Sequence, residues 1–503
     1  MNLLLVSTYE LGHQPLHVAS PAGELVRRGH DVTCVDLSVQ PWDPDLLDGI
    51  QGMAVSVPMH TAMRLAVQLV GQVRRLRPDL PICLYGLYAA NASASTVADL
   101  VDRLIAGEYE QALVEWVDSL EFDLAASAPS GAAARSGTAE RSGTAERSGA
   151  IERPEGGARP EGPSAQVVHL RRGRFGLPAR ELLPPLERYA RLAVGGEERL
   201  VGYVEASHGC GFSCLHCPVP TVYGGRVRIV GVDAVLADID QLVAAGARHI
   251  TFGDPDFLNG ARHSRRVVAA MHARHPQLTF DCTTKVELIL RHRDLWPELA
   301  EAGCLFVVSA FETVDDEVLR ILDKGHTCAD MVEAIRLLRR SGIEVRPSLL
   351  PFTPWTTIGS LVELMDFVSE HDLVGNVDPV HFSIRLLVPA GSLLLDSPSM
   401  APHLGPYRDD QLGYEWTSSD PRADELQRRI AAVVERAATD GRPVGDTFDE
   451  VRGLVRAEAG LEPCRRSTDT DGAVTPEARP HLTEAWFCCA EPTEMQFEPL
   501  GPA

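Results

Sequence analysis

The distribution of apolar residues constrains the fold of this chain more than any other feature of its sequence. In residues 1–122, short apolar runs alternate with segments whose apolar residues recur with the helical period. Such alternation predicts a parallel sheet covered by helices on both faces, an α/β fold in which ligands bind at the carboxyl ends of the strands. The predicted strands are Leu3–Ser7, Val32–Asp36, Met53–Val57 and Ile82–Tyr85.

The same alternation returns between Val201 and Leu395. The six strand–helix units predicted there are fewer than the eight of a closed barrel, which needs about 250 residues, so we expect an open or partial (β/α)6 barrel. Beyond Pro398 the region is predicted to be mainly helical, with helices at Leu426–Ala438 and Phe448–Glu458. The predicted barrel strands are Gly202–Ala206, His249–Phe252, Thr279–Cys282, Leu305–Ala310, Glu344–Leu350 and His381–Leu387.

A low-complexity stretch separates the two alternating regions. The hexad Arg-Ser-Gly-Thr-Ala-Glu occurs at 135–140 and again at 141–146, followed by a degenerate third copy. Such residues bury too little apolar area to offset the entropy of ordering, so a disordered insertion is expected. The predicted organisation is a first domain at 1–122, the insertion at 123–165, a connector at 166–199, a barrel at 200–396 and a C-terminal region at 397–503.

The overall charge and the start of the chain limit the partners and the compartment. The 503 residues carry a formal net charge of −23, which argues against a general affinity for nucleic acid or for an anionic membrane. No apolar run reaches the length of a membrane span, and the first residues lack the basic segment and cleavage site of a signal peptide. The sequence therefore predicts a cytoplasmic protein without a membrane partner.

Three cysteines form the strongest chemical motif of the sequence. The chain has 11 cysteines and no export signal, which argues for ligand or catalytic use rather than a disulfide framework. Cys210, Cys214 and Cys217 directly follow the first predicted barrel strand, and soft thiolates suit an iron–sulfur cluster or zinc. Structural zinc takes four ligands, which His208 or His216 would have to complete, whereas three thiolates on a four-iron cluster leave one iron open.

The spacing Cys-x3-Cys-x2-Cys after the first strand of a partial barrel resembles the radical S-adenosylmethionine (SAM) superfamily. The resemblance implies a [4Fe-4S] cluster held by Cys210, Cys214 and Cys217, whose open iron binds SAM. It also implies an external electron donor of the flavodoxin or ferredoxin type, and cleavage of SAM to methionine and a 5′-deoxyadenosyl radical. His216 stands where the family usually has an aromatic residue, and the resemblance makes it a contact for the adenine.

Further cofactor contacts follow from the same resemblance. Asp254 and Asp256 come after the second predicted barrel strand, where the family binds the SAM amino group, although a helix N-cap is an equal alternative. Thr283 and Lys285 come after the third strand and are predicted cofactor contacts. Glu312 comes after the fourth strand and is a predicted contact for SAM or for substrate, with a catalytic role.

Two arginines on predicted strands point to charge inside the barrel. Arg346 lies on the fifth predicted strand and Arg385 on the sixth. A buried arginine there fits a carboxylate-bearing ligand, and Arg346 is a predicted cofactor contact. An ion pair within the protein is an equally good interpretation.

The first domain resembles the cobalamin-binding, Rossmann-like domain that precedes many radical SAM barrels. Many cobalamin proteins ligate cobalt with the histidine of an Asp-x-His-x-x-Gly motif. Here His13 lies in the corresponding loop, but Leu11 and Leu16 replace the Asp and the Gly. The sequence therefore leaves two alternatives open, cobalamin bound without that motif or a first domain that binds no cofactor.

The end of the chain carries a second cysteine motif. The segment Cys488-Cys489-Ala490-Glu491-Pro492 resembles the tail of the CUAEP/CCAEP-tail radical SAM (seleno)protein family. Adjacent thiols near an active site are suited to bind a soft metal or metalloid, deliver sulfur, donate hydrogen or cycle between redox states. We therefore predict catalytic roles for Cys488 and Cys489, with an exposed and unconstrained tail as the alternative.

These observations predict a radical SAM enzyme that modifies an unidentified small molecule. One version transfers a methyl or alkyl group with the help of cobalamin. A second version makes no use of cobalamin and acts at a carbon–heteroatom (S, Se or As) centre held by the tail cysteines. The alternative from another class is a non-catalytic metal or cobalamin sensor, whose cysteines would form a structural site.

Overall fold

The computed structural model describes residues 1–92, 96–127, 166–170, 175–462, 479–484 and 491. These residues form two parallel α/β units and a C-terminal region rich in helices. The repeated hexads and the tail cysteines Cys488 and Cys489 lie outside the described residues.

The first unit is a six-stranded parallel sheet with the strand order β2-β1-β3-β4-β5-β6. The four strands predicted from the sequence are confirmed, and β5 and β6 extend the sheet at one edge. Both faces are covered, because two separate apolar cores lie on opposite sides of the sheet. In chain order the elements are β1 (Asn2–Ser7), α1 (Leu16–Arg27), β2 (Asp31–Asp36), β3 (Gly52–Ser56), α2 (His60–Leu76), β4 (Ile82–Tyr85), α3 (Ala89–Ala92), β5 (Arg103–Gly107), α4 (Tyr109–Ser127) and β6 (Gln166–His169).

The second unit is a seven-stranded sheet with the order β14-β13-β12-β11-β8-β7-β17, which curls into a half-barrel. Five strands are parallel, and β7 and β17 add antiparallel pairs at one edge. In chain order the elements are β7 (Arg191–Val194), β8 (Glu197–Val204), β9 (Ser207–Gly209), α5 (Val219–Tyr223), β10 (Val227–Ile229), α6 (Val232–Ala244), β11 (His249–Phe252), α7 (Ala261–Arg274), β12 (Thr279–Thr283), α8 (Val286–Arg291), α9 (Trp296–Glu301), β13 (Cys304–Glu312), α10 (Asp316–Ile321), α11 (Cys328–Arg340), β14 (Glu344–Leu349), α12 (Ile358–Glu370), β15 (Leu404–Arg408), β16 (Gly413–Trp416), α13 (Pro421–Thr439), α14 (Val444–Glu458) and β17 (His481–Leu482).

The sixth predicted barrel strand, His381–Leu387, is the main correction to the sequence-based fold. A 3-10 helix at Pro379–Phe382 occupies its first part, and the remainder pairs with the sheet edge through a single bridge at Arg385. Alternate apolar residues of this run, among them Ile384 and Leu386, are buried in a small core. Phe382 and Leu387 are buried in other cores, so nearly the whole run is buried. A short buried apolar run cannot be distinguished from a strand by its pattern alone.

The segments flanking the insertion belong to both sheets. Residues 166–199, predicted to be a connector, contain β6, which pairs with β5 in the first sheet, and β7, which pairs with β8 in the second. The first sheet therefore receives its last described strand from beyond the insertion. In the C-terminal region α13 and α14 confirm the two predicted helices, while β15, β16 and β17 add strands that the sequence did not predict.

Within the part of the chain that the structure describes, no helix combines the length and the apolar character that a membrane crossing requires.

Candidate functional site

A cavity of about 280 Å³ lies between the two sheets. One wall is formed by the loops that follow β1, β3, β4 and β5 of the first sheet. The other wall is formed by the loops that follow β8, β11, β12 and β13 of the half-barrel. The carboxyl ends of both sets of parallel strands thus face the same space, which is where α/β sheets place their ligands.

The three motif cysteines lie together on the wall that the half-barrel contributes. Cys210, Cys214 and Cys217 follow β9, and all three line the cavity. The loop begins at Gly209, whose φ is +74° and where a Cβ would approach the Arg226 carbonyl oxygen to 2.3 Å, so that only glycine fits. Burial raises the pKa of the Cys210 thiol to about 11, and coordination to a metal would favour the thiolate that burial disfavours.

Two buried lysines make this end of the cavity cationic. Lys285 and Lys324 line the cavity, with the Lys285 Nζ atom 3.8 Å from the ring centre of Phe212. Burial raises the pKa of the Cys214 thiol, while Lys324 and Lys285 act in the opposite direction. We call Cys210, Cys214, Cys217, Lys285 and Lys324 the cluster end of the cavity.

Glu312 and His216 join the cluster end as a hydrogen-bonded group. Glu312 Oε1 accepts a hydrogen bond from Lys324 Nζ at 3.0 Å and lies 3.0 Å from His216 Nε2. Burial opposes ionisation of Glu312, but Lys324 and His216 outweigh it and lower the pKa of this carboxyl well below its usual range. Glu312 also has a φ of +63°, a left-handed conformation in which strain is expected for a side-chain-bearing residue.

Asp254 and Asp256 have a supporting position instead of lining the cavity. Asp254 accepts hydrogen bonds from the Ala206 amide at 2.9 Å and from the Ser207 hydroxyl at 2.5 Å. Asp256 accepts from the Thr284 hydroxyl at 2.7 Å, and it caps the 3-10 helix that follows it. Burial raises the pKa of Asp254 to about 7 and that of Asp256 to about 6.

The loops that these two carboxylates hold carry residues of the predicted site. The backbone amide of Lys285 donates to Asp256 Oδ2 at 3.0 Å. Thr283 and Lys285 both line the cavity, and so do Gly253 and Pro255, the neighbours of the two aspartates. The N-cap interpretation therefore applies to Asp256, and both aspartates position the loops rather than the ligand.

The two predicted arginines form ion pairs outside the cavity. Arg346 Nη2 lies 2.5 Å from Asp378 Oδ1, and Arg385 Nη1 lies 2.6 Å from Asp424 Oδ1. Arg385 also stacks over the ring of Trp416 at 3.7 Å. Neither arginine lines the cavity, so the structure supports the ion-pair interpretation and places Arg346 away from the predicted cofactor contacts.

Sequence reasoning missed a chain of acidic and histidine side chains that crosses from one domain to the other. Glu108 Oε1 lies 3.2 Å from His208 Nδ1, and His208 Nε2 lies 3.1 Å from Glu205 Oε2. Glu205 Oε1 lies 3.5 Å from His17 Nε2, which lies 4.0 Å from Glu10 Oε1. We call these five residues the interdomain chain. Its only sequence signal was Glu205 and His208, three residues apart beside the cysteine motif.

Three tyrosines flank the interdomain chain. The Tyr203 hydroxyl donates to Glu205 Oε1 at 2.9 Å, and the Tyr223 hydroxyl donates to Glu108 Oε1 at 3.0 Å. Tyr109 lies with its hydroxyl 2.7 Å from His17 Nδ1.

Charges within the interdomain chain are unequally distributed. Burial opposes ionisation of Glu205, but His17 and His208 lower the pKa of this carboxyl. Burial and the neighbouring Glu205 raise the pKa of Glu10 well above its usual value. Glu205 is therefore ionised and makes this end of the cavity anionic, opposite the cationic cluster end, whereas Glu10 keeps its proton as long as no cation lies beside it.

Gly86 and Gly107 line the wall that the first domain contributes to the cavity. At Gly86 a Cβ would approach the Val57 carbonyl oxygen to 3.0 Å, so glycine there lets the loops after β3 and β4 pack closely beside the cavity. His13 lines the same wall and stacks on Tyr203 with the ring centres 4.7 Å apart. Burial lowers the pKa of His13 to about 4, so its imidazole is neutral near pH 7.

Residues on either side of the tail cysteines contact both domains. The Tyr9 hydroxyl donates to Glu484 Oε1 at 2.7 Å, and the Glu491 amide donates to the Arg385 carbonyl oxygen at 3.0 Å. Cys488 and Cys489 themselves lie outside the described residues.

Comparison with known proteins agrees with this geometry. Residues 204–368 match the model of the radical SAM superfamily. The chain is 23% identical to the hopanoid C-3 methylase of Methylococcus capsulatus over 358 residues, which cover 68% of this chain and 62% of that protein. The chain thus spans less than two thirds of the length of this curated relative.

Solved structures support the fold over a larger part of the chain. The radical SAM methyltransferase TsrM from Kitasatospora setae, with tryptophan substrate and a SAM analogue bound, has a TM-score of 0.54 at 20% identity, and the match covers 74% of this chain and 71% of TsrM. The cobalamin-dependent SAM radical enzyme OxsB, with aqua-cobalamin bound, has a TM-score of 0.60 at 15% identity, over 85% of this chain and 66% of OxsB.

A radical SAM domain implies a [4Fe-4S] cluster and SAM, and the cysteine loop has the thiols that such a cluster needs. The superfamily match and the methylase relative support an enzyme. Residues 204–368 therefore form a domain of the radical SAM superfamily, in a chain whose structural neighbours are cobalamin-dependent radical SAM enzymes.

Proposed function

We propose that this chain cleaves SAM reductively and uses the resulting 5′-deoxyadenosyl radical to modify a small molecule. The observation that carries this proposal is the cavity in which the three motif cysteines on the half-barrel face the strand-end loops of the first domain. A formal charge of −23 favours a small-molecule substrate over a nucleic acid. An external electron donor of the flavodoxin or ferredoxin type is part of the proposal.

The residues of the cluster end have separate roles in this proposal. Cys210, Cys214 and Cys217 hold the cluster, which when bound supplies the electron for SAM cleavage. Lys285 offers a cation to the SAM carboxylate, because its ammonium lines the cavity and is buried. Glu312, kept ionised by Lys324, accepts hydrogen bonds from an ammonium of SAM or substrate.

Two further residues complete this assignment. His216 lines the cavity next to Glu312 and is proposed to contact the adenine. Thr283, at the end of β12, lines the cavity and is proposed to contact the cofactor with its hydroxyl.

We further propose that cobalamin binds against the first domain and that the reaction is a methyl or alkyl transfer. Support comes from the side-chain-free backbone of Gly86 and Gly107 at the cavity wall and from the neighbouring structures that contain cobalamin. Bound cobalamin would supply the alkyl group for transfer. His13, in the loop after β1, lines this wall of the cavity with its imidazole.

The test is anaerobic reconstitution with iron and sulfide, followed by electron paramagnetic resonance of the reduced protein with and without SAM. We expect a cluster signal that shifts on addition of SAM, together with 5′-deoxyadenosine in the same samples. Added hydroxocobalamin is expected to remain bound through gel filtration. Cys214→Ala is expected to abolish 5′-deoxyadenosine formation. The matched control is Cys328→Ala, since Cys328 is a free cysteine on α11 that does not line the cavity.

Each part of the proposal has its own contradicting result. Tightly held zinc, or a cluster whose signal ignores SAM and yields no 5′-deoxyadenosine, would contradict radical chemistry and favour a structural metal site. SAM cleavage without retained cobalamin would leave the radical enzyme in place and remove the cobalamin-assisted transfer.

A second candidate function uses the tail cysteines. We propose that the chain is a member of the CUAEP/CCAEP-tail family and that Cys488 and Cys489 hold a carbon–heteroatom (S, Se or As) centre for catalysis. The contacts of Glu484 with Tyr9 and of Glu491 with Arg385 favour it, because they connect both sides of the tail motif to the two domains.

Arsenite is a direct probe of this second candidate, because it binds vicinal thiols. The Cys488→Ser/Cys489→Ser double variant is expected to lose one equivalent of tightly bound arsenite, whereas Cys328→Ala keeps it. Equal arsenite binding in wild type and double variant would contradict the candidate.

A further inference from the structure

The cavity has opposite charge at its two ends. Lys285 and Lys324 lie at the cluster end, and two carboxylates, Glu10 and Glu205, lie at the other. The rings of Tyr109, Tyr203 and Tyr223 line the cavity around these carboxylates. A buried carboxylate that lines a cavity is suited to accept a charge-assisted hydrogen bond from an ammonium group.

Glu10 is the residue that most clearly lacks a ligand. It lines the cavity, is only 5% exposed, and its Oε1 atom accepts a long hydrogen bond from the His17 amide at 3.5 Å. Its Oε2 atom is buried and has no hydrogen-bond partner among the described residues. A buried acceptor left without a donor is costly, so a site of this kind is expected to be completed by a ligand.

Glu205 faces Glu10 from the other domain. Its side chain is 8% exposed, and the Tyr203 hydroxyl and His17 Nε2 fix its Oε1 atom. His17 Nε2 lies 3.5 Å from Glu205 and 4.0 Å from Glu10, so a single imidazole separates the two carboxylates. A donor placed in the cavity beside His17 would therefore meet carboxylate oxygens from both domains.

We propose that this anionic end binds a protonated amine of the substrate. The ammonium donates charge-assisted hydrogen bonds to Glu205 and to Glu10, whose carboxyl group ionises beside the cation and releases its proton to solvent. The inference rests on the proposed function and narrows its substrate to amine-containing small molecules. The amide groups of a corrin ring share the N–H donor chemistry, and the experiment separates them from an amine by charge.

The probes are phenethylamine and 2-phenylethanol, which have similar shapes and differ in charge. Binding of each is measured by calorimetry to the reconstituted holoenzyme with SAM, with and without cobalamin. We expect the amine to bind at least about tenfold more tightly than the alcohol, a difference of about 1.4 kcal/mol. The preference should vanish in both Glu10→Gln and Glu205→Gln, and persist in Glu425→Gln, a control for an exposed carboxylate on α13.

The outcomes are distinct from one another. Equal affinity of the two probes for wild type, or an amine preference that survives both substitutions, would overturn the inference. Weaker retention of cobalamin in Glu10→Gln without any amine preference in wild type would assign the carboxylates to corrin amides, which also overturns it. Cluster spectra and 5′-deoxyadenosine from the same samples test the proposed function separately, so that its failure is recognised independently.

Discussion

The cluster end and the interdomain chain line one cavity but are built in opposite ways. The cluster end takes its three thiols from a single loop, between Cys210 and Cys217. The interdomain chain takes its five side chains from four separate places in the sequence, beginning at Glu10 and ending at His208. The thiols of the first come from one local motif, to which Lys285 and Lys324 add positive charge, whereas the second exists only because two domains meet.

Because the two parts are built differently, substitutions should affect cluster binding and the contact between the domains separately. A substitution in the local loop removes a cluster ligand without any need to disturb the domain contact. A substitution in the interdomain chain alters a contact between domains while the cysteine loop keeps all its ligands. The following predictions either sharpen this separation or break it.

The largest effect is expected for Cys214→Ala compared with Glu205→Gln. Loss of a cluster ligand should reduce 5′-deoxyadenosine formation to background, because the soft thiolate cannot be replaced by a methyl group. Glu205→Gln should retain the cluster and its electron paramagnetic resonance signal, since Glu205 is not on the cysteine loop. If Glu205→Gln also loses the cluster, the two ends are not separable.

Lys324→Met should be the most destabilising change at the cluster end. It leaves Glu312 buried without its ammonium partner, and breaking a buried ion pair in this way costs about 3–5 kcal/mol. Urea denaturation measures the loss. Arg320→Met serves as control, since Arg320 forms an exposed pair with Glu317 on α10 and should change the free energy of unfolding much less than Lys324→Met. Equal losses would contradict the buried-pair assignment.

The raised pKa of Asp254, which holds a loop beside the cavity, predicts that stability depends on pH. Its pKa is about 7 in the folded protein against an ordinary value of 3.8, so between these values the folded chain binds more protons than the unfolded chain. Stability from this group therefore falls as pH rises through that range.

Asp254→Asn removes that proton-linked loss. The free energy of unfolding of the variant, measured relative to wild type, should improve as the pH is raised from about 4.5 to about 7.5. Replacement of the exposed Asp409 by Asn is the control for loss of a surface carboxylate. A flat difference for Asp254→Asn would show that its carboxyl is not held in its protonated form.

The smallest effect is expected for Tyr109→Phe, which removes one hydroxyl that flanks the interdomain chain. The hydroxyl lies 2.7 Å from His17 Nδ1, and loss of one such hydrogen bond costs about 1 kcal/mol. In Tyr407→Phe the hydroxyl removed has no partner among the described residues, so no loss of unfolding free energy is expected. If the Tyr109 variant and the wild type have equal free energies of unfolding, the hydrogen bond between Tyr109 and His17 does not contribute to stability.

Most of the fold could be predicted from local patterns. Four strands of the first sheet and five strands of the half-barrel lie where alternation of apolar and helical segments placed them. The run His381–Leu387 misled that reasoning, because a short apolar run that is buried without being a strand has the same sequence pattern as a buried strand. Strand β6 was also missed, because its pairing with β5 depends on a segment that follows the insertion.

In the candidate site, too, the positions of residues could be predicted from the sequence, whereas their long-range contacts could not. Cys210, Cys214, Cys217, His216, Thr283, Lys285 and Glu312 were singled out from their positions after predicted strands, and all of them line the cavity. Asp254 and Asp256 occupy the expected loop, but their carboxylates are directed to backbone amides and hydroxyls, which a sequence does not specify. Arg346 lies on the expected strand and pairs with Asp378, a partner 32 residues further along the chain.

By itself, the sequence determined the cysteine loop, the two α/β units and the superfamily resemblance, because each depends on residues close together in the chain. Only the tertiary structure decided which carboxylates support loops and which face the cavity, because burial and pairing are set by residues far apart in sequence. The contact between Glu205 and His17 is the clearest case, since it joins the loop after β8 to the first turn of α1 across the domain boundary. The charge that a substrate meets in this cavity is therefore a property of the assembled domains.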